Sequence, residues 1–359
     1  MSAQQSHARR SVKSDAPEGS EVIVCRQRSP KPTVVFDTYW RFACERQSIF
    51  FRRVKGDPDP WTDDPILKAH RFTNAYRASD RVSQYLINRV IEGSRPQPAD
   101  TVFRVLLFKF FNRIGTWQLL EEALGEIHAN EFEVAAYDAI LDGALAKGQK
   151  LYSAAYIMPC PHLGAVRKHT NHLRLLEMMM QDRLPQQLAE ASSLEAAFRL
   201  LSAYPSMGSF LAYQYVIDLN YSGVLNFSEM DFVVPGPGAL GGIQKCFSDL
   251  DGLAPSDIIR FTADTAEAHF GRLGLRFQTL WGRPLQLIDC QNLFCEVDKY
   301  ARQAHPDMLG KLGRTRIKQN FRPDSSPIDY GFPSKWNLDV SVARSQPQDG
   351  PISERGSCS

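Results

Sequence analysis

Apolar residues recur at three- and four-residue spacing along most of this chain, and that period predicts a mainly α-helical fold. Val102, Val105, Leu106, Phe110, Ile114 and Trp117 form one such face, with Asp100 and Thr101 available as caps. Residues 131–145 repeat the pattern and run out near Gly148. Leu194, Ala197, Phe198 and Leu201 make another face behind Ser192 and Ser193. Pro255, Ser256 and Asp257 open a helix expected to run through Phe261, Thr265, Phe270 and Leu273, and residues 285–304 give a further helix. The one tempting strand is the β-branched run TVVF at 33–36. No repeat of solenoid length is present.

Composition bounds this picture. The chain has 359 residues, 43% hydrophobic and 11% aromatic, which is ordinary for a folded domain. Residues 1–32 and 340–359 are polar and poor in apolar residues, so they are expected to be disordered tails around a helical region at 33–339. Two lobes are expected there, with a cleft near 204–247. No run reaches membrane-spanning length; the apolar stretch 102–111 is interrupted by Arg104 and Lys109. Seven scattered cysteines without a CxxC pair read as reduced thiols of an intracellular protein. Lys and Arg number 42 against 40 Asp and Glu, a net charge of +2, which excludes bulk coating of nucleic acid by a polycation. The charge is uneven, however. Residues 301–322 carry six basic side chains against one acidic, a strip that includes Arg314, Arg316, Lys318 and Arg322.

The segment 204–247 carries the most chemistry. Tyr204, Pro205, Ser206, Met207, Gly208, Ser209 and Ala212 spell a tight turn that ends one helix and begins another. The free N–H groups of such a start can hold a phosphate. The pattern resembles the helix-hairpin-helix of DNA glycosylases. In that superfamily a catalytic aspartate follows the second helix, and Asp231 stands at a comparable distance here. The resemblance implies that Asp231 faces a nucleotide swung out of the duplex. Lyase-type members place a lysine two residues after the hairpin glycine; this chain has Phe210, which argues against amine-type strand cleavage. The following loop holds Gly236, Gly238, Gly241 and Gly242 among prolines, and can present amides to a backbone, with Lys245 adding charge.

Two polar blocks offer a pocket lining. Asn74, Tyr76, Arg77, Asp80 and Arg81 lie in an unusually polar stretch, FTNAYRASDRVSQYL, with Arg77 and Arg81 four apart as on one helix face. Asp289, Asn292, Glu296 and Lys299 lie on the 285–304 helix, the last three at i, i+4 and i+7. Upstream, Arg41, Arg46, Arg52, Arg53 and Lys55 interleave with Trp40, Phe42, Phe50 and Phe51, a mixture that suits both phosphate contact and an amphipathic core helix. Across residues 33–322 the FTNAYRASDRVSQYL, PGPGALGGIQKCF and IDCQNLFCEVDKY blocks resemble the helical domain associated with 5-hydroxymethyluracil DNA kinases, grouped with the α-glutamyl/putrescinyl-thymine pyrophosphorylases. That resemblance implies a DNA-glycosylase-like helical fold acting in thymine hypermodification, and DNA carrying a modified thymine as partner.

No phosphate loop, dinucleotide fingerprint, nucleophile elbow or kinase signature is present, so nucleotide-triphosphate chemistry is expected from a separate kinase or modifying enzyme. Cys160, His162, His169 and His172 crowd into thirteen residues, but their spacing matches no zinc pattern, and no metal or cofactor is expected. The leading expectation is a DNA-binding helical domain that flips modified thymines. The alternatives are a non-catalytic recruiting module and an ordinary base-excision glycosylase. A nuclear or cytoplasmic setting follows, the nucleus being favoured by the proposed substrate.

Overall fold

The computed structural model describes residues 29–93, 97–310, 313–323 and 328–339; the expected tail at 340–359 and residues 1–28 of the expected tail at 1–32 lie outside them. Among the described residues the fold is mainly helical, with fourteen α-helices and one two-stranded ribbon.

Helix α1 (Val34–Lys55) begins where the TVVF run suggested a strand. The hydroxyl of Thr33 accepts from the Val35 N–H as an N-cap, and the helical spacing of Phe36, Tyr39, Trp40, Ala43, Gln47 and Phe50 then outweighs the β-branched start. Only Lys31–Pro32 is extended (β1), pairing antiparallel with Phe247–Asp249 (β2). The aromatic residues of α1 all point inward, so its mixed basic and aromatic sequence is an amphipathic core helix.

Short elements follow: α2 (Pro65–Ala69), capped by Asp64, a 3-10 turn at Arg77–Ser79, α3 (Arg81–Tyr85) and a π-helical turn at Leu86–Ile91. Asp80 is extended between the 3-10 turn and α3, so Arg77 and Arg81 do not share a helix face. The face expected from 102 to 117 divides into α4 (Pro98–Phe111) and α5 (Ile114–Leu124), because Asn112 turns left-handed with φ 47°. Then come α6 (Val134–Ala146), α7 (Lys168–Gln181), α8 (Leu184–Ala189), α9 (Leu194–Ser202), α10 (Ser209–Asn220) and α11 (Pro237–Cys246). The helix opened by Pro255 breaks at Thr265 into α12 (Pro255–Asp264) and α13 (Ala266–Arg272), and α14 (Leu287–Ala304) ends the series.

Two helices are buried nearly all round, as core helices are. α4 is buried from Thr101 to Phe111 and α10 from Leu211 to Asn220. α4 packs on α7, α8 and α10; α14 packs most intimately on α11 and also receives α1 and α12. The buried apolar side chains form one continuous cluster from Val35 to Ile317. Arg104, 2% exposed inside α4, donates to the Val90 and Arg89 carbonyls at 3.0 and 3.1 Å and so satisfies the end of the π-helical turn. The five cysteines among the described residues are free. Among the same residues, no helix is long and apolar enough to cross a membrane.

Candidate nucleic-acid interface

The two polar blocks meet. Thr73 N–H donates to Glu296 Oε2 at 2.9 Å, and the Asn292 amide donates to Thr73 Oγ1 at 2.9 Å. Lys299 bridges Glu296 and the Arg71 carbonyl, each at 2.8 Å. Arg77 N–H donates to Asp289 Oδ1 at 2.9 Å, while the other Asp289 oxygen accepts from Gln286 N–H as the capping residue of α14. Asn74 N–H donates to Asp80 Oδ1, and Arg46 of α1 donates to the Thr73 carbonyl and to Asn74 Oδ1. Burial pushes the Asp80 carboxyl up to about 7 against the pull of the Asn74 N–H and Arg46; burial likewise raises Asp289 to about 6, offset by the N–H groups of Gln286 and Arg77.

The Arg77 side chain continues inward to α10. Its guanidinium is bidentate to Asp218 at 2.7 and 2.9 Å and donates to Gln214 Oε1 at 2.9 Å. Lys109 of α4 lies 3.1 Å from the second Asp218 oxygen and donates to Asn112 Oδ1 at 2.8 Å. These three charges are 0–3% exposed. Burial alone would raise the Asp218 carboxyl, but Arg77 and Lys109 outweigh it and hold it below its ordinary range. Burial lowers Lys109, with Asp218 opposing. Above them, the ring of Tyr156, a partly exposed residue, lies 4.8 Å from the Lys109 ammonium and 5.8 Å from the Arg77 guanidinium.

Tyr156 stacks on Phe210, ring centres 6.0 Å apart, and Phe210 leads to the two glycine-containing segments. Gly208 caps α10 and Gly236 caps α11, neither helix having a side-chain cap. A Cβ on Gly236 would lie 2.6 Å from the Phe210 ring, so the two helix starts touch there, with the Gln291 amide alongside. The exposed first turn of α10 thus opens beside the start of α11, whose first residue, Pro237, has no N–H to offer. Gly208 and Ser209 are exposed; Ser206, at φ 63°, donates from its hydroxyl to the Cys160 carbonyl.

Other residues fall elsewhere. Gly238, Gly241 and Gly242 line the α11–α14 seam, where added Cβ atoms would meet Cys295 Sγ, Asp298 Oδ1 and the Phe294 carbonyl. Their missing side chains serve helix packing. Lys245 is 3% exposed and paired with Asp298 at 3.0 Å, so its ammonium is not at the surface. Tyr76 is buried and donates to the Arg283 carbonyl at 2.6 Å. Arg81 is partly exposed at the start of α3. Asp231 is exposed after α10, its carbonyl accepting from Arg260 at 3.0 Å. Arg314, Arg316, Lys318 and Arg322 are all exposed, on a segment whose Gln319 and Phe321 backbone groups pair with Arg71 and Ala69.

The four-residue Cys and His set does not gather as a ligand group. His162 is exposed, and both ring nitrogens of His172 are taken, by Tyr152 OH and by the Pro159 carbonyl, each at 2.9 Å. Burial pushes His172 down to about 4.

Sequence reasoning did not single out Lys109, Gln214, Asp218 or Tyr156 as site residues. A signal existed for two of them. Lys109 in LLFKFF and Asp218 in YVIDLN are lone charges inside apolar helical runs, which only a buried partner of opposite sign can accommodate.

Glu229 supplies a separate pH effect. It is 4% exposed, burial raises it from 4.5 to about 7, and Arg283 at 3.2 Å opposes the rise. An acid raised on folding stabilises most below its unfolded value and loses that contribution as pH rises through about 7. Thermal unfolding of a Glu229→Gln variant should therefore show a flatter stability profile between about pH 5 and 8, removing a dependence of about 2 kcal/mol. Parallel profiles for the two proteins would contradict this.

Comparison with known proteins places this arrangement in context. The family model described as 5-hmdU DNA kinase, helical domain, matches residues 33–310. A curated relative, the 5-hmdU DNA kinase of Bacillus phage SP10, is 28% identical over 333 residues, covering 85% of this chain and 51% of the relative. The chain thus spans about half the length of the curated relative it matches. No solved structure matches it.

Proposed function

Because the chain belongs to the 5-hmdU DNA kinase helical-domain family, we propose that it is a DNA-binding helical domain that handles 5-hydroxymethyluracil-type bases. The observation that carries this reading is the meeting of two helix starts at Phe210 and Gly236, beside the Tyr156 ring that covers two buried cations. The exposed first-turn N–H groups of α10 suit a backbone phosphate, and the stacked rings of two partly exposed residues suit a stacked base. The target base is flipped toward Tyr156 and Phe210, while the exposed strip of Arg314, Arg316 and Lys318 holds neighbouring phosphates through charge. Asp231 is the proposed catalytic carboxylate: it follows α10 and is open to solvent. The helix-hairpin-helix, glycosylase-like description of α9 and α10 belongs to the same proposal.

Anisotropy titration of labelled duplexes with thymine or 5-hydroxymethyluracil at one site tests the binding half. The full chain should bind the modified duplex more tightly, and Tyr156→Ala should weaken that binding by about 5- to 100-fold, as for loss of one stacked base. Equal affinity for both duplexes would overturn base recognition. Nucleoside mass spectrometry after incubation with modified DNA tests the chemical half, and an unchanged product from Asp231→Asn would overturn its catalytic role.

A second reading, a DNA-binding module that works with a separate kinase, draws on the match being to a helical domain and to half of a relative named as a kinase. It expects Asp231→Asn to be silent while losses in the basic strip weaken binding. The phage relative gives no weight to a nuclear setting.

A further inference from the structure

A cluster between α6 and α7 is unused by this reading. Asp138 and Asp142 stand one turn apart on α6, and His169 stands in the first turn of α7. His169 Nε2 is 3.1 Å from Asp138 Oδ1 and 2.9 Å from Asp142 Oδ1, and the three ligand atoms lie within 4.8 Å of one another. His169 is 2% exposed, yet its Nε2 makes no hydrogen bond of acceptable angle, and neither does Asp142 Oδ1. The ring nitrogen thus points directly at neither oxygen, although both crowd it. A proton on that nitrogen would be poorly used; a cation about 2 Å out, shared by all three atoms, would satisfy them together.

The surroundings fit a coordination site. Thr170 Oγ1 donates to Asp138 Oδ1 at 2.6 Å and Arg167 Nη1 lies 3.0 Å from Asp142 Oδ1, contacts that would orient the carboxylates from outside. Asp138 and Asp142 are partly exposed, which leaves a solvent side for a fourth ligand. We propose that Asp138, Asp142 and His169 bind one first-row divalent cation of the zinc class, with water completing the shell. One imidazole and two carboxylates favour such an ion over magnesium or calcium, which take all-oxygen sets. The ion would tie α6 to α7 at both ends of the connection that carries Tyr156.

Calorimetric titration of zinc chloride into the chelator-stripped full chain tests this. One zinc per chain is expected, with a rise in Tm on loading, and Asp142→Asn should weaken binding by about tenfold or more. His169→Gln should do the same; should it fail to fold, the partly exposed Asp142 and Asp138 keep the test intact. No saturable binding below about 1 mM zinc would overturn the proposal. So would undiminished binding in Asp138→Asn and Asp142→Asn, which would assign the ion to other cysteine or histidine residues.

Discussion

Replacing Asp218 with asparagine is expected to lower stability by about 3–5 kcal/mol, the usual cost of removing one partner from a buried ion group. Asparagine has nearly the same shape, so no cavity contributes. What remains is Arg77 and Lys109, 2% and 3% exposed, with no carboxylate between them. Arginine keeps its charge, so the relief must come from Lys109, which burial already drives toward the neutral amine. The variant's folded state then binds fewer protons than its unfolded state, so its stability rises with pH. Urea denaturation at pH 6 and pH 9 should show the deficit shrinking at the higher pH. A loss below about 1 kcal/mol at pH 6 would mean that the triad is not held as described. Replacing all three charges together with Met and Leu should recover much of the loss, because the stranded charge is then gone.

Gly242→Ala is expected to cost about 3 kcal/mol, at the upper end for overpacking. The added methyl would lie 2.0 Å from the Phe294 carbonyl oxygen and 2.7 Å from its carbon, backbone atoms that cannot swing aside. α11 and α14 must separate, and their seam is the tightest helix pairing in the fold. At Gly238 the clash is with Cys295 Sγ, a side-chain atom that can rotate, so Gly238→Ala should cost less. Gly143, on α6, has nothing within 4 Å of a Cβ, and Gly143→Ala should stabilise by about 0.5–1 kcal/mol through helix propensity. Calorimetry of the three variants checks the order, and a neutral Gly242→Ala would contradict the close approach.

The helices were legible where caps and period agreed. Ser193 starts α9 as the sequence suggests, and α14 is displaced by only two residues at its start. Breaks were harder to see. Asn112 and Thr265 interrupt apolar faces that run on across them, because a single left-handed or irregular residue leaves the period nearly intact. The TVVF run misled because a threonine cap and a β-branched strand start look alike over four residues.

The site was legible in halves. The polarity of 73–80 and the one-sided spacing of Asn292, Glu296 and Lys299 were each visible, and the structure joins them. Spacing within a helix carries no information on what another helix will place opposite. For that reason the glycines of α11 read equally well as ligand-facing amides and as packing faces, and Lys245 as a surface cation. Tyr156 had no signal at all, since an aromatic residue in a loop has no period.

The pairing of α1 with α14 also orders the life of the chain on the ribosome. Tyr39 donates to the Cys290 carbonyl and packs its ring, tilted, against Phe294, partners more than 250 positions downstream. Other partners of the α1 aromatic face also come late: Phe36 meets Phe247, and Trp40 meets His269 and Phe270. A nascent chain stalled before residue 247 should therefore expose that face to holding chaperones and to other copies of itself, and synthesis of the segment 247–304 covers it.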